Sequence, residues 1–456
     1  MINGSFRKYL EEAIGSVNAL VAFSAFESPA SASVRCNPFK MGICPDGRPV
    51  AWNRYGRLLP ERPVFTLDPH FHAGAYYVQD SSSMFVGYAF RKLVEGMDKP
   101  SGRPFRVLDL CAAPGGKTTD IAASLREIFK DDFLLVSNEV MKARAGVLAD
   151  NVALWGDPNV IVTSDDPRAF AALAGFFDVI VADVPCSGEG MFRKDEEAQR
   201  QWSEDNVALC ESRQRRIVAD VWPALKQGGV FLYSTCTFNK YENDGNVRWI
   251  SSELEAECLF SDDILDPREG VIKTDLGYSL VPGHVEGEGQ YCSALRKVSE
   301  VEFRETRHQP SRNSKIQAVT PEVASGLLVV ESVFRLRGET LIAVPRNISS
   351  ELNFLESALH VIAAGCAVGT MKGKVLVPDA DLALSLAFDR SAFPEKEVDR
   401  ATALAYLHRD AIVLSDAPKG YVTIVYEGLP LGFVKNLGNR CNSLHPQSRR
   451  IRMNIK

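Results

Sequence analysis

From Arg106 onward the chain alternates short apolar runs with segments of helical character, and this alternation constrains the fold more than any other feature. The apolar runs begin at Val107, Leu134, Val160, Asp178 and Gly229. Strands that alternate with helices form a mostly parallel sheet covered on both faces, and strands buried on both faces are apolar along their whole length. The sequence therefore predicts an α/β fold with an open, doubly wound sheet in the central part of the chain.

The rest of the sequence divides around this central part. Residues 1–100 mix short helical and extended patterns with turn signals, and residues 101–304 contain the alternating region. Residues 305–320 are polar and lack periodicity, which is typical of a linker. Within residues 321–456, two apolar runs on either side of Glu427–Gly428 predict a β-hairpin, so we expect a small α+β domain there.

The composition is that of an ordinary soluble globular protein. Of the 456 residues, 45% are hydrophobic and 24% are charged. No segment approaches the roughly 20 apolar residues of a membrane span, and the N-terminus lacks the apolar core of a secretory signal. None of the ten cysteines forms a CxxC pair, so no metal site is predicted. Their wide spacing favours reduced thiols, most of them buried, in a cytoplasmic protein.

Positive charge is concentrated at the C-terminus although the net charge is −6. An acidic balance counts against a nucleic-acid partner, but local clusters matter more than the sum. Residues 435–456 contain no Asp or Glu. This segment is either a solvated tail or an edge that contacts phosphate groups. Its basic residues are Lys435, Arg440, Arg449, Arg450, Arg452 and Lys456.

The segment LDLCAAPGGKT, residues 108–118, joins the first apolar run to the helix that follows. Gly115 and Gly116 let the backbone approach a ligand where a side chain would clash. In doubly wound sheets this loop lies at the carboxyl end of the first strand, where ligands bind. The spacing is neither GxGxxG nor GxxxxGK[ST], which disfavours a dinucleotide or a triphosphate. A sulfonium cofactor with an amino acid, a ribose and an adenine carries no phosphate and suits such a loop.

Two acids follow the next two strands. Glu139 comes after the second strand, where a carboxylate can accept hydrogen bonds from both ribose hydroxyls. Asp166 comes after the third strand, within reach of an adenine amine. Either acid alone could be a solvated loop residue. Their common placement after successive strands favours a cofactor site.

Two cysteines follow the fourth and fifth strands, in Asp183-Val184-Pro185-Cys186 and Ser234-Thr235-Cys236. Both thiols are therefore expected at the edge of the sheet where ligands bind. Carbon 5 of cytosine is a poor nucleophile, and addition of a thiolate at carbon 6 makes it reactive toward a sulfonium methyl group. A second thiol or acid can assist release of the product. The residues alone do not say which cysteine attacks.

Read together, the motifs LDLCAAPGGKT, ADVPCSGEGMFRKD and YSTCTFNKYEND resemble the NSUN/Fmu (Sun) family of RNA cytosine-5 methyltransferases. The segments VRCNP and YYVQDSSSM resemble the N-terminal signatures of this family. The C-terminal GLPLGFVKNLGNRCNSLHP resembles the PUA-like RNA-binding domain of RsmF-type members that act on ribosomal RNA. The resemblance implies a Rossmann-like S-adenosylmethionine-dependent methyltransferase with an N-terminal RNA-binding extension and a C-terminal PUA-like domain.

The resemblance also implies a role for each matching residue. Cys236 is the expected nucleophile, Cys186 the residue that assists release, and Asp183 the contact to the cytosine edge. Arg193 and Lys194 are expected at the RNA backbone, together with the basic C-terminal residues. The cofactor site is expected to comprise Cys111, Ala112, Ala113, Pro114, Gly115, Gly116, Lys117, Glu139, Asp166 and Asp183.

One segment departs from the family pattern. GYSLVPGHVEGEGQYCSALRK has Gly283 inserted between Pro282 and His284, and it carries Gln290 before Tyr291. The leading hypothesis is methylation of 16S ribosomal RNA, and the alternative is the same reaction on transfer RNA. A DNA cytosine-5 methyltransferase would use only the Cys186 motif and no RNA-binding tail. A non-catalytic ribosome-assembly factor would not need both cysteines and the cofactor acids.

Overall fold

A small antiparallel sheet precedes the central part of the chain. The computed structural model describes residues 4–40, 44–259, 269–301, 316–319 and 322–455. The order of the N-terminal strands in their sheet is β2-β3-β1-β4. The N-terminal elements are α1 (Gly4–Ile14), α2 (Ser16–Phe26), β1 (Ala32–Cys36), β2 (Arg48–Val50), β3 (Asn53–Leu59), α3 (Pro69–His72) and β4 (Tyr76–Val78).

The central part forms the predicted α/β sheet. Strands β9, β8, β5, β6 and β7 run parallel in this order, and β13 adds to β9 in the antiparallel sense. Its elements are α4 (Met84–Glu95), β5 (Phe105–Asp109), α5 (Gly116–Phe129), β6 (Phe133–Asn138), α6 (Lys142–Trp155), β7 (Val160–Thr163), β8 (Phe177–Asp183), α7 (Glu196–Gln201), α8 (Glu204–Val221), β9 (Leu225–Thr235), α9 (Asp244–Glu253), β10 (Ala256–Cys258), β11 (Ile272–Lys273), β12 (Tyr278–Leu280) and β13 (Gln290–Lys297).

The C-terminal region forms two further sheets. The predicted hairpin is confirmed, since β21 and β22 pair in antiparallel register. The elements are β14 (Ile316–Val319), β15 (Ser332–Arg337), β16 (Thr340–Pro345), α10 (Ser349–Ala358), β17 (Val361–Ala364), β18 (Cys366–Lys372), β19 (Val375–Pro378), α11 (Ala380–Leu384), β20 (Glu395–Glu397), α12 (Arg400–His408), β21 (Gly420–Tyr426), β22 (Leu429–Asn436) and β23 (Cys441–Ser443).

The strands of the central sheet are apolar on both faces because each face is covered. Alternate side chains of β6 enter different core clusters, with Leu135 in one and Leu134 and Val136 in the other. This is the alternation that strand geometry imposes. Each fully buried aliphatic side chain stabilises the fold by roughly 1.5–3 kcal/mol. The continuous apolar runs of the sequence therefore have their origin in a two-sided core.

The predicted linker over 305–320 is not a linker throughout. Residues 302–315 lie outside the described residues, as do 320 and 321, but Ile316–Val319 form β14, which pairs with Phe334–Arg337 of β15. The sequence pattern did not predict this strand, because it is only four residues long and follows a polar segment.

The C-terminal region also contributes to the central sheet. Strand β17 pairs in the antiparallel sense with β7 and thereby covers its edge. Leu352 and Leu355 of α10 pack into the same core cluster as Val136 and Ile161. The proposed division into domains stays a prediction, but buried residues within 344–361 share a core with the central part.

One pair of cysteines departs from the expectation that wide spacing favours reduced thiols. Cys36 and Cys44 form a disulfide, with their Cα atoms 5.7 Å apart. A separation of eight residues along the sequence does not by itself indicate that the two side chains meet. The remaining cysteines are free thiols, of which Cys210, Cys292 and Cys366 are buried.

Candidate active site

The carboxyl ends of β5, β8 and β9 define the candidate site. Chain order runs outward from β5 in both directions, to β6 and β7 on one side and to β8 and β9 on the other. At such a point the loops on the two sides diverge and leave a crevice for a ligand. The loop after β5 and the two cysteine motifs border this crevice.

The loop of residues 110–116 has the shape that its glycines allow. Gly115 has a φ of +113°, which other residues adopt only with strain, and α5 begins at the next residue. Two side chains of α6 hold the loop: Arg144 donates to the Ala113 carbonyl over 2.9 Å, and Asn151 donates to the Pro114 carbonyl over 2.7 Å. The loop is therefore fixed before any ligand binds.

Asp109, the last residue of β5, leaves an acceptor free beneath this loop. Its Oδ2 atom accepts a hydrogen bond of 2.6 Å from Thr118, whereas Oδ1 is buried with no hydrogen-bond partner among the described residues. Burial raises the pKa of the carboxyl group to about 7. An unsatisfied buried acceptor is unfavourable unless a ligand completes it. This site fits a cofactor that presents donor groups, such as the amino group and ribose of S-adenosylmethionine.

Glu139 and Asp166 occupy neighbouring strand ends but differ in exposure. Glu139 is 3% exposed, and its carboxylate accepts from the Met141 N–H over 2.9 Å and lies 3.3 Å from Arg144. The Asp166 side chain is 42% exposed and accepts from Arg168 over 3.0 Å. Glu139 is therefore held ready for a ligand, whereas Asp166 caps its own turn. The cofactor role of each acid stays a prediction.

The two cysteine motifs lie side by side. Strands β8 and β9 pair in parallel with Asp183 opposite Ser234, so the residues that follow emerge together. The sulfur atoms of Cys186 and Cys236 are 3.0 Å apart. The hydrogen bond to Cys236, together with burial, raises the pKa of the Cys186 thiol well above its usual value. The Cys186 thiol can therefore donate a hydrogen bond toward the sulfur of Cys236.

Asp183 is held as a carboxylate between three donors. Lys117 of α5 donates over 2.8 Å, Ser234 over 2.8 Å and Gln290 over 3.2 Å. Burial alone would raise the pKa of Asp183, but the Lys117 ammonium and these hydrogen bonds hold it below its ordinary value. A charged carboxylate at this position can accept a hydrogen bond from an amine.

Two buried glutamates that sequence reasoning missed fasten the cysteine loops together. Glu189 accepts from the Phe238 N–H over 2.7 Å and from Trp202 over 2.9 Å. Glu242 accepts from the Ser187 N–H over 3.0 Å. Burial, followed by the charge of Glu189, raises the pKa of Glu242 to about 7. Glu189 lies in SGEG and Glu242 in NKYEND, both within the motifs quoted above. An acid inside such a motif is the sequence signal that could have identified these two residues.

Arg193 and Lys194 are engaged by protein carboxylates. The Arg193 guanidinium makes two hydrogen bonds to Glu288, of 2.8 and 2.9 Å, and its side chain is 7% exposed. Lys194 donates to Asp80 over 2.9 Å. This placement does not favour direct contact of Arg193 with RNA, and for both residues the RNA role stays a prediction.

The basic C-terminal residues fall into two groups. Lys435, Arg440 and Arg450 are exposed. Arg449 is largely buried and bridges Asp150 of α6, at 2.9 Å, and Asp381 of α11, at 2.5 Å. Arg449 therefore ties the C-terminal region to the central part, whereas the three exposed residues are accessible to an anionic partner.

Among the helices in the part of the chain that the structure describes, none is long and apolar enough to cross a membrane. Within the same residues, His, Cys, Asp and Glu side chains do not come together in a group of three that could hold a metal ion.

Family models match three parts of the chain. A model described as 16S rRNA methyltransferase RsmB/F matches residues 99–296. The N-terminal domain of 16S rRNA methyltransferase RsmF matches residues 2–81, and the methyltransferase RsmF PUA domain matches residues 393–451.

Curated relatives and solved structures agree with these models. Ribosomal RNA small subunit methyltransferase F of Aliivibrio fischeri is 29% identical over 472 residues, which cover 97% of this chain and 96% of that protein. Its counterpart in Cronobacter sakazakii is 33% identical over 317 residues, 65% of this chain and 64% of that protein. A methyltransferase homologue from Pyrococcus horikoshii matches with a TM-score of 0.52 at 25% identity, covering 64% of this chain and 93% of its own. NSun6 from the same organism shares the fold, with a TM-score of 0.53 at 18% identity over 65% of this chain and 99% of its own.

Proposed function

The chain belongs to the RsmF family of 16S ribosomal RNA methyltransferases, and we propose from this membership and from the site that it methylates carbon 5 of a cytosine in 16S ribosomal RNA, with Cys236 as the attacking thiolate. The observation that carries the mechanism is the contact of 3.0 Å between the sulfur atoms of Cys186 and Cys236 at the carboxyl edge of the sheet. A pair of thiols in contact can divide attack and release between them.

S-adenosylmethionine supplies an electrophilic methyl group when it is bound. Asp109 and the loop of residues 111–117 would hold its amino acid part, and Glu139 its ribose hydroxyls. The free Oδ1 of Asp109 and the fixed shape of the loop support this assignment. Asp166, which is half exposed, would lie beside the adenine and accept a hydrogen bond from its amine.

Attack begins at Cys236. Its thiolate adds to carbon 6 of the cytosine, a sulfur–carbon bond forms, and the electron pair of the ring double bond moves toward carbon 5. Carbon 5 is then nucleophilic enough to take a methyl group. Asp183, charged and fixed by Lys117 and Ser234, would accept a hydrogen bond from the exocyclic amine of the base and orient the ring. The base would therefore lie between the carboxylate and the attacking sulfur.

Release reverses the first step. The proton on carbon 5 leaves to water, the ring double bond re-forms, and the electron pair of the sulfur–carbon bond returns to Cys236. The departing thiolate needs a hydrogen-bond donor, and Cys186 carries a proton at high pKa within 3.0 Å of that sulfur. Cys186 would thus act after methyl transfer, whereas Cys236 is needed before it.

The exposed Lys435, Arg440 and Arg450 of the C-terminal region would contact phosphate groups of the ribosomal RNA. Because the proposed substrate is ribosomal RNA, we also propose that the protein acts in the cytoplasm.

The order of the two thiol steps gives the test. With unmodified RNA and cofactor, Cys186→Ala should accumulate a protein–RNA adduct that survives denaturation, and the double variant with Cys236→Ala should form none. Mapping of 5-methylcytosine in 16S ribosomal RNA, with and without the gene, checks the substrate. An adduct in Cys236→Ala but not in Cys186→Ala would reverse the assignment of the two cysteines.

A further inference from the structure

Gln290, at the start of β13, is a polar side chain buried at the back of the site. It is 2% exposed, and its neighbour Tyr291 pairs with Thr235, the residue before the attacking cysteine. The sequence departs from the family pattern at this same position. A buried amide group must find hydrogen-bond partners, and the partners of Gln290 explain its presence.

The amide nitrogen of Gln290 contacts both catalytic motifs. It donates to Oδ1 of Asp183 over 3.2 Å and to the backbone carbonyl of Thr235 over 2.9 Å. A side-chain amide has two N–H protons, so both contacts can be made at once. One side chain thereby joins the carboxylate at the end of β8 to the backbone at the end of β9.

We propose that Gln290 is a positioning residue for methyl transfer, which fixes Asp183 relative to the strand end that carries Cys236. This inference rests on the proposed function, because it concerns the same Asp183 and Cys236. Gln290 does not touch the reacting atoms. It fixes the distance between Asp183 and the strand end that carries Cys236, and it favours the charged form of Asp183.

The environment of Asp183 explains why this contact matters. Lys117 faces it from α5, Asp109 and Cys111 from the end of β5, Cys292 from β13, and the thiols of Cys186 and Cys236 stand after β8 and β9. Burial and Asp109 disfavour the charged carboxylate, whereas Lys117, Ser234 and Gln290 favour it. Removal of the Gln290 donor should therefore raise the pKa of Asp183.

The first experiment replaces the amide by an apolar side chain of similar size. Gln290→Met should lower kcat roughly tenfold or more, since a hydrogen bond to a charged group is lost. The KM for the cofactor should not change. The acid limb of the pH profile of kcat should move to higher pH, because Asp183 is protonated more easily. The matched control is Gln227→Met, at an exposed position of β9, which should leave kcat and the profile unchanged.

The second experiment separates a positioning role from a merely structural one. In Gln290→Glu the introduced carboxyl can donate its proton to Asp183 at low pH, as the amide does. At high pH it ionises and faces Asp183 with like charge. The ratio of kcat in this variant to wild type should therefore fall as pH rises, whereas a packing defect would lower kcat equally at every pH.

The readout is methyl transfer from labelled S-adenosylmethionine to 16S ribosomal RNA by the full chain. Ratios that stay flat with pH in both variants would overturn the role of Gln290 while the wild-type activity still supports the proposed function. An inactive wild-type protein would overturn the proposed function and this role with it. Circular dichroism of both variants verifies that any loss is not unfolding.

Discussion

The edge of the central sheet and the exposed face of the C-terminal hairpin both carry cationic side chains, and they use them differently. At the sheet edge Lys117 and Arg193 are paired with the carboxylates of Asp183 and Glu288. On the hairpin Lys435 is exposed. Positive charge at the edge fixes the shape of the site, because buried charges require partners, whereas charge on the hairpin remains available to a polyanion.

The largest effect should come from the sheet edge itself. Cys236→Ala should lower methyl transfer on the order of 10⁴-fold or more, because the covalent step is lost and the unactivated base barely reacts. Cofactor binding by calorimetry should be unchanged. Cys441→Ala, in the C-terminal region, is the matched control and should be fully active. Near-normal turnover by Cys236→Ala would remove it as the nucleophile.

Arg193→Met tests whether the charge at the edge is structural. Without Arg193 the buried Glu288 keeps only the more distant Lys194 ammonium, 3.8 Å away, so the free energy of unfolding should fall by about 3 kcal/mol in denaturant titrations. The exposed ion pair of Arg346 with Glu331 provides the control. Arg346→Met should change the free energy of unfolding by only about 0–1 kcal/mol. Unchanged stability combined with weaker RNA binding would instead place Arg193 at the RNA.

Glu139→Ala should weaken cofactor binding about ten- to a hundredfold, the loss of a charge-assisted contact of roughly 1.5–3 kcal/mol. Asp166→Ala should have the smaller effect of the two, because its carboxylate is half exposed and bonded to Arg168. Isothermal calorimetry with S-adenosylmethionine measures both. Equal affinities of wild type and Glu139→Ala would exclude Glu139 from the site.

The smallest effects belong to the exposed basic residues of the C-terminal region, Lys435 on β22 and Arg440 in the turn that follows it. Lys435→Ala and Arg440→Ala should each weaken RNA binding a few-fold and reduce the salt dependence of binding by about 0.7–0.9 in the log–log slope. Lys374→Ala, which alters an exposed lysine in the turn between β18 and β19, should change neither quantity. If the three variants behave alike, Lys435 and Arg440 do not belong to an RNA-binding face.

The central sheet and the meeting of Cys186 with Cys236 were predictable because parallel strands bring their carboxyl ends to one edge. A continuous apolar run indicates a strand that is buried on both faces. The residues that directly follow such a strand must then lie at the carboxyl edge of the sheet. The partner of Arg193 was not predictable in this way, since Glu288 stands far along the chain and only the antiparallel addition of β13 brings its segment near. The same holds for Glu242, whose role depends on the fold of two loops.

The late position of β17 in the chain has a consequence during synthesis of the protein. The edge of β7 is covered by a strand that the ribosome synthesises long after β7 itself. Until then the growing chain exposes an unpaired strand edge, which readily pairs with other chains. Truncation before residue 361 should recreate this state permanently, so a shortened protein would aggregate even though every residue of the candidate active site is present.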